Sequence, residues 1–402
     1  MLELGNRSGM TTLRDYAHCP KARDGRRDGG GVTTIELSDA GPMLAERLSH
    51  SPALTRDAAS IQAGHTYAAL DLGTNNCRLL VARPHQDQAR NGADRLRIVD
   101  AFSRIVRLGE GLHQTGELGE AAIARTLDAL AVCRTKMDQR GVTRARLIAT
   151  EACRMAANGA EFIDKVRDEL GLDLEVIDRE TEARLAALGC AALADPHAEG
   201  VLIFDIGGGS SELIWFDPAL HQGAGGPGER VDIRLWTSLQ LGVVSLAEQF
   251  GGHEVSSATY EAMVGHVARS LEAFLQRAMG ERHCSRFHLL GTSGTVTTIA
   301  GVYLNLSRYD RRRVDGLWMS AGDVSATISR LRRMSYAERA AHGCIGSARA
   351  DLVLAGCAIL EAIRRAFPAP RLRIADRGLR EGMLIELMRE DGVWGRQAET
   401  AA

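Results

Sequence analysis

Two stretches of this sequence share one ungapped frame. "AALDLGTNNCRLLV" (68–81) and "LIFDIGGGSSELIW" (202–215) each run as an apolar segment, an aspartate, one residue, a glycine, a small or polar turn, and a second apolar segment. Each reads as strand–turn–strand. A repeat that opens each half of a chain constrains it to two similar lobes facing one another across a cleft. Strands and helices alternate through the rest of the sequence, which makes the fold class α/β.

The glycine triplet 207–209 raises the matter of phosphate binding. A dinucleotide fold or a P-loop needs a helix directly after its glycines, because the helix N-terminus holds the phosphate. Here "SSELIWF" follows, an alternating strand, and neither GxGxxG nor a Gly-Lys-Ser/Thr ending is present. The segment is therefore a β-hairpin whose amides and Ser210/Ser211 hydroxyls suit a small anion nest; a tight hairpin with no ligand is the alternative. Asp71 and Asp205 end apolar strands at equivalent places. A carboxylate there is costly to bury unless it is paired, bound to a cation such as Mg²⁺, or capping its own turn.

Bulk properties narrow the class. The chain has 402 residues, 45% of them hydrophobic, and a formal charge of −2, enough for two medium lobes and with no general case for nucleic-acid binding. No apolar run approaches membrane-spanning length. Eight scattered cysteines form no CxxC pair or zinc spacing; Cys133, Cys190 and Cys357 read as core, and a reducing cytoplasm is the simplest compartment. Residues 1–63, with "KARDGRRDGGG", keep no helix or strand period and are expected to be a disordered arm.

Further along, "RARLIAT" (144–150) and "LEVID" (174–178) read as strands, and an Asn-started helix "NGAEFIDKVRDEL" lies between them. "RETEARLAALGCAAL", 256–279, 322–333 and 347–367 read as helices. "FHLLGTSGTVTTIAG" reads as strand, small-residue turn and helix, and "RLRIADRGLREGMLIELMRE" as strand, turn and helix.

Other chemistry-bearing residues admit two readings each. "GTSGT" (291–295) lacks the G-x-S-x-G frame of a nucleophile elbow, so a third phosphate contact is favoured over a serine hydrolase. Glu180 and Glu182 either complement a helix dipole or supply a general base. Arg154, beside Asn158, is either a phosphate clamp or a surface arginine. "SRYDRRR" (307–313) is a local basic patch, with a solvated loop the favoured reading.

Taken in order, eight segments resemble the exopolyphosphatase/guanosine pentaphosphate phosphatase family of the actin/Hsp70-like ATPase superfamily. They are "AALDLGTNNCRLL", "ATEACRMAANGAEF", "RETEARLAALG", "VLIFDIGGGSSELIWF", "LQLGVVSLAEQF", "LLGTSGTVTTIAG", "RADLVLAGCAILEAI" and "IADRGLREGML", collinear from about 67 to 390. The resemblance implies two ribonuclease-H-like lobes, 64–190 and 191–395, followed by a tail 396–402. It implies that Glu182 is the base for water attacking the terminal phosphorus, and that Asp205 and Glu212, with Asp71, organise Mg²⁺ or Mn²⁺. Asp71, Gly73, Thr74, Asn75 and Asn76 would form the first phosphate loop, and Gly207, Gly208, Gly209 and Ser210 the second. Gly291, Ser293, Gly294 and Thr295 would form the third, with Arg154 against the phosphates. Asn76 departs from the family's D-x-G-S-N-S pattern by putting an amide in place of a hydroxyl. The length resembles short two-lobe members.

The function so implied is a Mg²⁺-dependent exopolyphosphatase acting on inorganic polyphosphate, with guanosine pentaphosphate as the alternative substrate. Expected partners are that substrate and a second copy in a homodimer, with no nucleic acid and no membrane. A sugar or acetate kinase of the superfamily and a non-catalytic guanosine tetraphosphate sensor are the competing classes; a glutamate placed to activate water opposes the first, and retention of every carboxylate the second.

Overall fold

Strands β1 (Tyr67–Leu72), β2 (Asn76–Asp87), β3 (Ala93–Ile105), β4 (Arg144–Ala149) and β5 (Glu175–Val176) form the first sheet, in the order β3-β2-β1-β4-β5. Strands β6 (Gly200–Ile206), β7 (Ser211–Phe216), β8 (Ile233–Leu239), β9 (Phe287–Thr292), β10 (Trp318–Ser320) and β11 (Arg371–Ile374) form the second, in the order β10-β11-β9-β6-β7-β8. The computed structural model describes residues 65–87, 93–218, 233–281 and 286–393. The expected arm 1–63 and tail 396–402 lie outside the described residues.

The repeat is real in three dimensions. β1–β2 and β6–β7 are antiparallel hairpins, and β4 and β9 pair in parallel with β1 and β6. With β3 and β8 added antiparallel outside, and β5 and β11 parallel on the far side, each sheet contains the same five-strand pattern. This is the ribonuclease-H-like topology twice over; β10 is an antiparallel addition to the second copy. β3, "ADRLRIVDAFSRI", is a 13-residue strand that the sequence reading misses. It is an edge strand rich in charge, so it lacks the apolar alternation that marks a half-buried one.

Central strands are buried on both faces, as their continuous apolar runs require. In β1, Ala68, Leu70 and Leu72 pack with Ala129, Leu130, Phe162 and Val166, while Tyr67 and Ala69 pack on the other face with Leu185, Met383, Leu384 and Leu387. In the second sheet Val201, Ile203, Ile214 and Phe216 face Ala183, Ala187 and Cys190. Helix Arg179–Cys190 thus lies mainly on the second sheet, and the C-terminal helix Leu379–Glu390 lies on the first. The expected boundary at 190/191 separates the two sheets but not the helices packed on them.

Those two helices cross with backbone in contact. A Cβ at Gly189 would stand 1.9 Å from the Gly378 carbonyl oxygen, and one at Gly382 would stand 2.0 Å from that of Leu185. Only glycine fits at either point. Gly382→Ala is expected to destabilise the protein by about 2 kcal/mol or more in urea denaturation, whereas Gly322→Ala, whose new methyl meets nothing nearer than 3.7 Å, is expected to be neutral or mildly stabilising. Equal stability of the two variants would remove the crossing from its central place.

Candidate active site

Both hairpin tips and the C-terminal ends of the parallel strands open on one cavity between the sheets. In β1 and β6 the aspartate is the single position not fully buried, so Asp71 and Asp205 reach the cavity from strands that are otherwise core. Their cross-strand partners complete the frame: Asp205 sits opposite Glu212, and Asp71 opposite Arg78. Where the second copy of the repeat carries an acid, the first carries a base.

Every expected phosphate-loop residue from Gly73 to Asn76, from Gly207 to Ser210, and from Ser293 to Thr295 lines the cavity, as do Asp71, Glu182, Asp205 and Glu212. Gly291 does not line it; its place is against Phe204 in the core. The carbonyls of the first two tips are turned away from the cavity. Thr74 O accepts from Gly109 N, Asn75 O from Val106 N and Arg107 N, Gly207 O from Val243 N, and Gly208 O from Val244 N. The amides of Thr74, Asn75, Gly208 and Gly209 donate no hydrogen bond among the described residues, which leaves them available to an anion. Helices starting at Val243, Ser293, Val353 and Leu379 bring four N-terminal ends to the same cavity.

The glycine triplet serves packing as well as binding. A Cβ on Gly208 would lie 3.0 Å from Thr74 Cβ, one on Gly209 2.8 Å from Thr74 Oγ1, and one on Gly242 2.3 Å from the Gly208 carbonyl. Ser293 holds a left-handed backbone (φ 81°) at the strand-to-helix turn, and its Oγ donates to Ile206 O at 2.9 Å.

Asp178 caps helix Arg179–Cys190 by accepting from Thr181 N at 2.7 Å. One turn in, Glu182 faces the cavity, while Glu180 is exposed away from it. Burial pushes the Glu182 carboxyl up to about 7, against the opposing pull of Arg154 and with Asp71 and Asp205 adding to the rise. Burial likewise raises Asp205 to about 6, and it raises Asp71 and Glu212; Ser238 Oγ donates to Glu212 at 2.8 Å.

Arg154 departs from its expected place. It does not line the cavity: its guanidinium donates to Glu151 Oε2 (2.8 and 3.1 Å), Glu182 Oε2 (2.7 Å) and Ile177 O (2.6 Å). Glu151, which the sequence reading passes over, captures it. Asn158 does not cap its own helix with its side chain; it bonds both backbone groups of Leu118. "SRYDRRR" is not simply a solvated loop, because Arg311 pairs with Glu381 at 2.6 Å and donates to Asp376 O beside the cavity.

The sequence reading also misses the cavity's cations. Arg78, Arg349 and Arg380 line it, and none of their side chains has a hydrogen bond or ion pair among the described residues. Arg78 was findable, since the repeat frame puts it where the second copy has Glu212. Arg349 lies in a turn before the helix Val353–Ala366, where the periodicity predicts helix from 347.

Comparison with known proteins agrees with this arrangement. Residues 87–391 match the Ppx/GppA phosphatase family, and the chain belongs to that family. A guanosine-5'-triphosphate,3'-diphosphate pyrophosphatase of Photobacterium profundum is 28% identical over 80% of this chain, which spans only 59% of that protein. Exopolyphosphatase 2 of Mycobacterium tuberculosis is 27% identical over 80% of this chain and 98% of its own length. The crystal structure of an exopolyphosphatase from Cytophaga hutchinsonii superposes with a TM-score of 0.70 at 25% identity, covering 83% of this chain and 100% of that one. The Aquifex aeolicus family member gives 0.64 at 29% identity, covering 82% and 99%.

The raised acids carry a stability cost with a definite sign. Folded Asp205 holds its proton up to about 6, against an ordinary 3.8, so stability is full below about pH 4 and falls as pH rises through 6. The loss is on the order of 2–3 kcal/mol. Asp205→Asn is therefore expected to raise the melting temperature at pH 7.5 in chelator, and to leave it nearly unchanged at pH 3.8. A variant destabilised equally at both would contradict this.

Proposed function

We propose that this chain is an exopolyphosphatase that releases orthophosphate from the ends of inorganic polyphosphate, with Glu182 as the base for the attacking water. The observation that carries the reading is one carboxyl poised at about 7 on the wall of a cavity lined by facing phosphate hairpins and three unpaired arginines. A base is most effective when its pKa lies near the working pH. Hydrolysis of a phosphoanhydride needs little else: an in-line water and neutralisation of the equatorial oxygens. The free amides of the hairpin tips and Arg78, Arg349 and Arg380 are suited to supply the neutralisation.

A divalent cation, Mg²⁺ or Mn²⁺, fits the residues present. Burial raises Asp71, Asp205 and Glu212 above the usual carboxylate range, and among the described residues Asn75 and Asn76 carry buried amide oxygens without partners. Among the described residues no three His, Cys, Asp or Glu side chains converge on one point. That suits Mg²⁺ held by one or two carboxylates, with water and substrate oxygens completing its shell. Bound there, the ion would supply charge neutralisation to the phosphates. Asp205 and Glu212 would hold it and orient the water for Glu182.

Guanosine pentaphosphate is the second reading, favoured by the likeness to the pyrophosphatase of P. profundum. Polyphosphate comes first because the chain spans nearly all of the M. tuberculosis exopolyphosphatase and about three-fifths of the pyrophosphatase. Phosphate release from tripolyphosphate, long polyphosphate, guanosine pentaphosphate and ATP separates the two readings and the kinase class from both. Glu182→Gln is expected to lower kcat by about 10²–10⁴-fold. In the parent protein kcat/KM is expected to rise with unit slope up to about pH 7, as Glu182 loses its proton, and then to level. An undiminished Glu182→Gln variant, or one that keeps this limb, would end the base assignment.

A further inference from the structure

Glu151 is nearly inaccessible, yet it is the first residue of a short helix at the cavity rim, and its two oxygens accept four N–H groups. Two come from Arg154, at 2.8 and 3.1 Å, and two from Arg179, at 2.8 and 3.2 Å. Arg154 spends its remaining bonds on Ile177 O and Glu182 Oε2. Glu182 Oε1 has no protein partner among the described residues, so one oxygen of the base is anchored and the other is presented to the cavity.

We infer that Glu151 is a positioning residue: by holding Arg154 and Arg179 together it fixes Arg154 on Glu182 and keeps that guanidinium off the phosphates. This rests on the reading of Glu182 as the base. The charge arrangement supports it. Arg154 and Arg179 stand against Glu151 and Glu182, two cations to two anions. With Glu151 gone, two cations would share one carboxylate, and Arg154 would lose the fork that sets its direction. A bidentate guanidinium is rigid only while both prongs are engaged. Arg154 therefore acts on the orientation of the base and not on substrate affinity.

A substrate clamp and a base holder differ in what they change. Removing a clamp raises KM; removing a holder lowers kcat and leaves KM in place. Arg154→Met is expected to lower kcat by about tenfold or more, and Glu151→Gln by about three- to tenfold, each with KM within about threefold of the parent. The double variant is expected to match Arg154→Met within about twofold, because Glu151 works through Arg154. Calorimetric titration with tripolyphosphate needs no turnover, and it should give the same Kd within about threefold for the parent and both single variants. A tenfold rise in KM or Kd for Arg154→Met, or a full additional loss in the double variant, would overturn the proposal. Arg154→Lys and Glu151→Asp give the same discrimination where the larger changes prevent folding. A Glu182→Gln variant that remains active would fall on the base assignment, while the Kd measurement would still decide where Arg154 acts.

Discussion

Backbone meets backbone where helix Arg179–Cys190 crosses helix Leu379–Glu390, and the placement of both lobes follows from that contact. Each helix is tied by sequence to one sheet and packed on the other, so the crossing joins the lobes twice. The N-terminus of one helix delivers Glu182 to the cavity; the turn before the other delivers Arg377 and Gly378, and its first turn Arg380 and Glu381. Ion pairs of Arg146 with Glu386 and Glu175, and of Arg184 with Glu386, fringe the contact. Half-exposed pairs of this kind add little individually. Burial of Leu185, Met383, Leu384 and Leu387 under β1 and β2 holds the arrangement, and the glycines let the helices come close enough to achieve it.

Much of this was legible in the residues because it is written locally. The two hairpins, the aspartates at their strand ends and the helix bearing Glu182 follow from short patterns in which each residue's neighbours decide its conformation. Arg78 was legible too, through the same repeat, but only by asking what stands opposite Asp71 rather than which motif it resembles. Other features had no local signal. Arg349 comes from the turn before a helix and Arg380 from a helix's first turn, and nothing in "RADLVLAG" or "GLREG" says which arginine faces a cavity. The exchange of helices between sheets is a property of chain tracing at long range. Arg154 shows the opposite case: its place in the motif points to the cavity, but its guanidinium is bonded to Glu151, Glu182 and Ile177 O.

Buried carboxylates around the cavity fall into two groups, set apart by the direction in which their pKa is shifted. Glu381 accepts from Arg311 and from Gly378 N, with Arg380 beside it, and its carboxyl is held below the usual range despite complete burial. Glu151, clamped by two arginines, is likewise held low. Asp71, Glu182, Asp205 and Glu212 come to the same cavity from four different elements and are all pushed up. Each acid of the first group has two arginines beside it, Arg311 and Arg380 at Glu381, Arg154 and Arg179 at Glu151, whereas in the second group burial outweighs the pull of Arg154 on Glu182 and of Arg78 on Asp71 and Asp205. Acids raised by burial in a cavity that also holds unpaired arginines make an arrangement at odds with stability, as functional sites commonly are.

The repeat is also unequal where its copies touch. In the first tip the turn is Thr74-Asn75-Asn76; in the second the corresponding residues are Gly208-Gly209-Ser210. Had both copies carried side chains, Thr74 Oγ1 would stand 2.8 Å from a Cβ at position 209, and Asn75 N 3.1 Å from one at 208. Had both been glycine, the space between the tips would be unfilled and the amides without fixed direction. One copy supplies the side chains and the other makes room for them. The two sets of amides can then converge on one ligand while their carbonyls stay bonded behind them, at Gly109 and Val106 on one side and Val243 and Val244 on the other. A glycine triplet in this fold is therefore best read against the turn it faces: its glycines follow from the threonine and asparagine of the other lobe as much as from any phosphate.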